Sequence, residues 1–257
     1  MSARMGVRRR KATAADRVES LCLLGLDAAM IALTASGQYT RFTTPRTLPY
    51  VIFAIVLVSV LTAAAWTGLF RATPRECATM LVSLIVPALL LVIPMQAQAS
   101  TGFDKYAGGR AIAIAQSKGT QGLHGLDAAK RTITISNDEF GAWYEHIDHN
   151  PQQYAGYTIH VTGFVSTSTT LGAQQFLVAR QLMSCCILDM TPFGFTAQKD
   201  PAPAAHLRSY PNETWVRLTG RLEPGTIGKA GYSYQGMILH ISSISRTSAP
   251  TGYFYQK

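Results

Sequence analysis

Charge is scarce in this chain. Of its 257 residues only 14% are Asp, Glu, Lys or Arg, against roughly 25% in an average soluble domain. That deficit, beside a 47% hydrophobic content, points to a portion embedded in lipid. Catalytic signatures are missing as well. There is no Gly-x-Ser-x-Gly nucleophile elbow, no phosphate-binding Gly-rich loop and no dinucleotide fingerprint, so no enzymatic activity is expected. Cysteine is limited to four positions. Cys22 and Cys77 lie in or beside apolar helical segments, whereas Cys185 and Cys186 are adjacent in a β-rich stretch.

Acidic residues are the rarer sign, 14 against 23 basic, and leave a net charge of +9. The excess is uneven. Arg4, Arg8, Arg9, Arg10, Lys11 and Arg17 precede the first apolar run, as the positive-inside bias predicts for a cytoplasmic tail over residues 1–19. The basic charge is therefore read as a topology and lipid-facing signal, and no nucleic-acid partner is expected. Three apolar segments follow within residues 20–97: Ser20–Ser36, Leu48–Phe70 and Thr79–Gln96. The second is long enough for a hydrocarbon core of about 30 Å, and Pro87 is expected to kink the third. Three crossings place Arg71 and Arg75 inside and everything after about residue 98 outside. The expected location is the cell membrane, multi-pass, with a cytoplasmic N-terminus and an extracytoplasmic C-terminal domain.

Asp27 sits near the middle of the first apolar segment, where a carboxylate costs roughly 2.5–3.5 kcal/mol on insertion scales. It should face protein or water. Gly25, Ala28, Ala29, Ala32 and Ser36 form a small-residue stripe beside it, suited to close helix packing. Asp27, Ala28 and Ala32 are accordingly candidates for docking a membrane partner, the alternative being packing within the protein's own helices. A signal peptide is disfavoured by Asp27. Ala97-Gln98-Ala99 resembles a cleavage site, but so far from the N-terminus the chain is read as intact.

Residues 98–127, rich in Gly, Ala, Ser and Gln, read as a linker with one short helix. From 128 to 257 the pattern becomes short strands: Arg131–Ser136, Tyr157–Val165, Gln175–Met183, Phe193–Ala197, Thr214–Leu222 and Gly236–Ile244, with a helix over Phe140–Ile147. The fold class expected is therefore a membrane α region plus an all-β domain, a small Greek-key barrel of OB type. Tyr157, Phe164, Phe176 and Trp215 are expected in its core. Asn212-Glu213-Thr214 is a glycosylation sequon, meaningful only in a glycosylating host.

The chemistry-bearing stretch is RQLMSCCILDMTPFG, Arg180–Gly194. Cys185, Cys186 and Asp189 are a candidate metal site for a divalent ion such as zinc. In a straight strand the adjacent cysteines would face opposite sides, so the site requires a turn near Ser184, which Thr191-Pro192 and Gly194 make plausible. Two thiolates and a carboxylate leave zinc one ligand short. His146, His149, His160 and His240 are candidates for the fourth, with His146 and His149 paired in the EHIDH patch. Thiol redox chemistry and simple burial of the cysteines compete with the metal reading.

SGQYTRFTTP, NPQQYAGYTIHVTGFV, QFLVARQLMSCCILDMTPFGF and TWVRLTG together resemble the YcgQ-like family of permease subunits. The resemblance runs from about residue 20 to the C-terminus and is most specific at the CC-x-x-D core. It implies a membrane-anchored protein with an OB-like outer domain, working beside a multi-spanning permease and linked to metal transport. The expected function is an accessory permease subunit whose barrel captures or gates a substrate. A membrane-tethered thiol/disulfide redox protein and an anchored binding module without a metal site are the alternatives.

Overall fold

A computed structural model describes residues 14–67, 73, 75, 78, 79, 81, 82, 111–114, 123–199 and 210–256. The chain forms two compact units. One comprises Met1–Tyr39 and Pro45–Ser100, and the other Thr40–Thr44 and Thr101–Lys257.

The first unit holds helices α1 (Ala14–Ala35) and α2 (Leu48–Trp66). Pro49 stands in the first turn of α2, where its missing N–H breaks no helical bond. Both helices are long and apolar enough to cross a membrane. Their large side chains point outward: Leu21, Leu24 and Ile31 on α1, and Phe53, Val56 and Val60 on α2, are all exposed. A helix apolar on every side that buries little in its own protein has lipid as its natural surroundings. Hydroxyls within the pair bond back to their own helices, Ser20 Oγ to the Asp16 carbonyl and Thr62 Oγ1 to the Val58 carbonyl, each at 2.8 Å. The polar exception is Asp27, which is buried and accepts a hydrogen bond from Ser59 Oγ at 2.6 Å. Among the described residues two candidate spans thus stand where three were expected in the chain. Apart from Thr79, Leu81 and Val82, the third segment lies outside the described residues, as do Cys77, Ala97–Ala99 and the basic tail before Ala14.

The second unit is β-rich. Its strands are β1 (Ala111–Ile114), β2 (Leu126–Asp127), β3 (Thr132–Thr134), β4 (Thr158–Ser166), β5 (Gln175–Leu182), β6 (Thr191–Gln198), β7 (Trp215–Ile227), β8 (Tyr234–Arg246) and β9 (Tyr253–Gln256). Helices α3 (Phe140–His149) and α4 (Pro151–Tyr154) precede β4. Strands β4, β5 and β6 form an antiparallel meander, β6 pairs parallel with β8, and β8 returns antiparallel through β7 to β4. That closes a five-stranded barrel with OB connectivity. β1 and β9 extend it beside β5, and β3 and β2 extend it beside β4.

Alternation builds the core. Ile159 and Val161 on β4, Val178 on β5, Val216, Leu218 and Leu222 on β7, and Leu239 on β8 are buried inward. Phe140, Trp143 and Ile147, spaced on one face of α3, pack onto this core, and the Trp143 indole N–H donates to the His124 carbonyl at 3.0 Å. Phe164, Phe176 and Trp215 are buried as expected and Tyr157 is partly buried. A tight crossing sits where β5 meets β6. Gly194 lies opposite Ala179, and a Cβ there would stand 2.2 Å from the Val178 carbonyl oxygen.

The stretch expected as a linker carries sheet. Ile112 and Ile114 of β1 are buried, with β1 running parallel to β9, and β2 pairs with β3. Among the described residues the sheet therefore includes Ala111–Ile114, upstream of the boundary expected at residue 128. A four-residue strand is legible only once its partner is known, and that partner is the last strand of the chain.

Candidate metal centre at the turn after strand β5

The turn required for Cys185 and Cys186 to share one ligand is present. β5 ends at Leu182, paired with Thr191 at the start of β6, so residues 183–190 connect the two strands. The base is fixed by buried Met183, whose N–H donates to the Phe254 carbonyl at 2.8 Å. Ile187–Asp189 then makes one 3-10 turn with Cys186 at its N-cap.

Asp189 holds this turn together. Its Oδ1 accepts from the Ser184 N–H at 3.0 Å, and its Oδ2 accepts from the Cys185 N–H at 2.5 Å and the Cys186 N–H at 3.4 Å. In return the Cys186 side chain accepts from the Asp189 N–H, completing a reciprocal cap. The two sulfurs and a carboxylate oxygen lie within 4.8 Å of one another. Cys185 is exposed and Cys186 half-buried, and both are free thiols. The Cys185 thiol donates to the Asp189 carboxylate and lies beside Cys186, which pushes its pKa up to about 12. For Asp189 itself, partial burial is the largest single influence and acts upward. The Cys185 thiol and the three backbone N–H groups outweigh it and hold the carboxyl below its ordinary value.

A strap from the loop between α1 and α2 covers one side of the turn. Thr43 pairs with Cys186 in an antiparallel bridge. The Cys185 carbonyl accepts from Thr43 Oγ1 at 2.7 Å and from the Thr44 N–H at 3.2 Å, while the Ile187 N–H donates to the Phe42 carbonyl at 2.9 Å. The Tyr253 hydroxyl donates to the Thr40 carbonyl at 2.5 Å and reaches the Thr43 carbonyl at 3.2 Å. Thr40–Thr44 is thus part of the β unit although helices flank it on both sides in sequence.

Cys185, Cys186 and Asp189 are brought together, and among the described residues no other His, Cys, Asp or Glu joins them. His146 and His149 are not ligands to this centre. His146 is buried in the core, its Nε2 2.8 Å from the Tyr154 hydroxyl and its ring edge-on to Trp143; burial keeps its pKa below the usual imidazole value. His149 Nδ1 lies 2.7 Å from the Glu145 carbonyl. Spacing alone placed both on one face, but the helix turns His146 inward and leaves His149 exposed. His160 pairs with the Thr219 hydroxyl at 2.8 Å, and His240 lies on β8. In the helical unit, Asp27 is turned toward Ser59 of α2, whereas Ala28 and Ala32 are exposed. Asp27 and the small-residue stripe therefore do not make one surface.

Two features escaped sequence reasoning. The strap carries no signal, since a polar loop between apolar helices looks the same whether or not it pairs. Arg180 did carry one: it occupies the inward parity of β5, after Phe176 and Val178. It is buried, bonded to the Asn137 side chain and carbonyl, and stacked against Phe140, Trp215 and Phe254 with its guanidinium 5.1–5.8 Å from the ring centres.

The family model for the DUF1980 C-terminal domain matches residues 113–256. The chain belongs to this family. It is the group of the YcgQ-like proteins, and the match spans the barrel and the cysteine turn. No curated protein matches the chain. Among solved structures, a small single-stranded DNA-binding protein from Streptomyces coelicolor is similar at 18% identity and TM-score 0.24, covering 36% of this chain and 94% of its own. The mitochondrial single-stranded DNA-binding protein Rim1 from S. cerevisiae is similar at 9% identity and TM-score 0.22, covering 35% of this chain and 94% of its own.

Proposed function

We propose that this protein is a non-catalytic accessory subunit of a membrane permease, and that its barrel captures a thiophilic metal ion at the turn formed by Cys185, Cys186 and Asp189. The observation that carries this reading is the strap. The segment paired with the cysteine turn is the short connection between two apolar helices, so a ligand site and a membrane anchor are joined by five residues, Thr40–Thr44.

The same connection supports a membrane topology. With Thr40–Thr44 part of the barrel unit, the α1–α2 loop and the barrel share the extracytoplasmic side. α2 then carries the chain inward, and the Thr79–Gln96 segment returns it, giving three crossings with a cytoplasmic N-terminus.

Metal accumulation in cells tests the reading. Cells carrying Cys185→Ser/Cys186→Ser should accumulate no more of the transported metal than cells lacking the chain. Wild-type accumulation in that variant would remove the capture role.

A further inference from the structure

We propose that the turn selects a soft monovalent cation, Cu(I) being the probe, held by two sulfurs rather than as a four-ligand zinc centre. This rests on the capture role proposed above and narrows its substrate class.

The donor set decides it. Zinc in proteins takes four ligands, or three plus water at open sites. Among the described residues this centre has two thiols and one carboxylate. The carboxylate is already committed. An ionised carboxylate offers about four acceptor positions, and Asp189 uses three on the Ser184, Cys185 and Cys186 N–H groups and the fourth on the Cys185 thiol. Swinging it onto a cation would release the three bonds that shape the turn and leave those N–H groups without their acceptor. What remains for a metal without rebuilding the loop is the pair of sulfurs, one exposed and one half-buried.

Two-sulfur coordination suits soft cations and leaves a hard or borderline divalent ion unsatisfied. On binding, each thiol gives its proton to solvent and each sulfur donates a lone pair to the ion, with no change of oxidation state. Exposure of Cys185 leaves that side of the ion open, so that a partner's donor can bond to the ion and displace the Cys185 sulfur, the exchange that stepwise handover needs. Asp189 is a positioning residue here: it sets the two sulfurs and does not touch the ion.

The test uses the full chain in detergent under anaerobic conditions, in a Cys22→Ser/Cys77→Ser background so that only the turn supplies thiols. Cu(I) is titrated against a chromogenic chelator and Zn(II) against a zinc indicator, and the copper-loaded protein is examined by X-ray absorption. The expected result is one Cu(I) per chain with a shell of sulfur only, at least a hundredfold weaker binding in Cys185→Ser and in Cys186→Ser, and no zinc retained at micromolar concentration. Asp189→Asn, checked for an intact fold by circular dichroism, should keep a sulfur-only copper shell, because the carboxylate positions the sulfurs without ligating the ion. An oxygen or nitrogen ligand in the copper shell, or zinc held at submicromolar concentration through Asp189, would overturn the selection while leaving the capture role standing. Binding of neither ion would overturn both.

Discussion

Asp189 and Cys185 form a thiol–carboxylate pair in which the carboxylate keeps its charge and the sulfur keeps its proton. The direction of both shifts follows from one hydrogen bond, reinforced on the aspartate by three backbone donors. A measurable consequence is sluggish alkylation. At pH 8 the thiolate fraction of Cys185 is on the order of a thousandfold below that of a cysteine titrating near 9. In a Cys22→Ser/Cys77→Ser chain that keeps Cys186, alkylation of Cys185 by iodoacetamide, followed by peptide mass mapping, should be slow at pH 8. The rate should rise about tenfold per pH unit up to about pH 12, where the group titrates. Asp189→Asn should accelerate it at pH 8; ordinary reactivity in the unsubstituted chain would show that the hydrogen bond is not made. Arg180 is the other residue whose role is set by neighbours rather than by sequence. Its guanidinium is held within the core by Asn137 and three ring faces.

At the scale of elements, the barrel strands were legible because each combines alternation with flanking turn residues. β4, β5, β7 and β8 fall within a few residues of the sequence expectation at their starts, and the helix expected over Phe140–Ile147 spans Phe140–His149. What could not be read was pairing at long separation. β1 and β9 are four-residue strands that make sense only against each other, across about 140 residues of chain, and Thr40–Thr44 pairs with a turn still further away. The cysteine turn lay between these cases. Its existence followed from strand geometry and its ligand types from composition, yet the commitment of Asp189 to backbone donors required coordinates. The junction of β5 and β6 gives a direct check on the barrel. Gly194→Ala would drive a methyl into the Val178 carbonyl and should destabilise the domain by about 2–3 kcal/mol, seen as a lower thermal midpoint. An unchanged midpoint would mean that β5 and β6 do not cross as described.

For the whole molecule, the decisive point is that one short loop belongs to the barrel unit while the helices beside it do not. The proposed topology rests on that arrangement. Single cysteines placed at Gln38 and Ser248 in an otherwise cysteine-free chain should both react with a membrane-impermeant maleimide in intact cells, whereas one at Arg71 should react only after lysis. Labelling of Arg71→Cys from outside would refute three crossings with an outer barrel. The exposed Ala28–Ala32 face of α1 and exposed Leu188 beside the thiols are the surfaces available to a larger assembly. The central claim is that such an assembly exists. Purification of the tagged chain from its native membranes, followed by identification of the chains that accompany it, tests that most directly. The account predicts a multi-spanning permease in comparable amount, retained when Cys185 and Cys186 are both replaced by serine. Recovery of the chain alone, while the neighbouring permease transports normally in its absence, would contradict it.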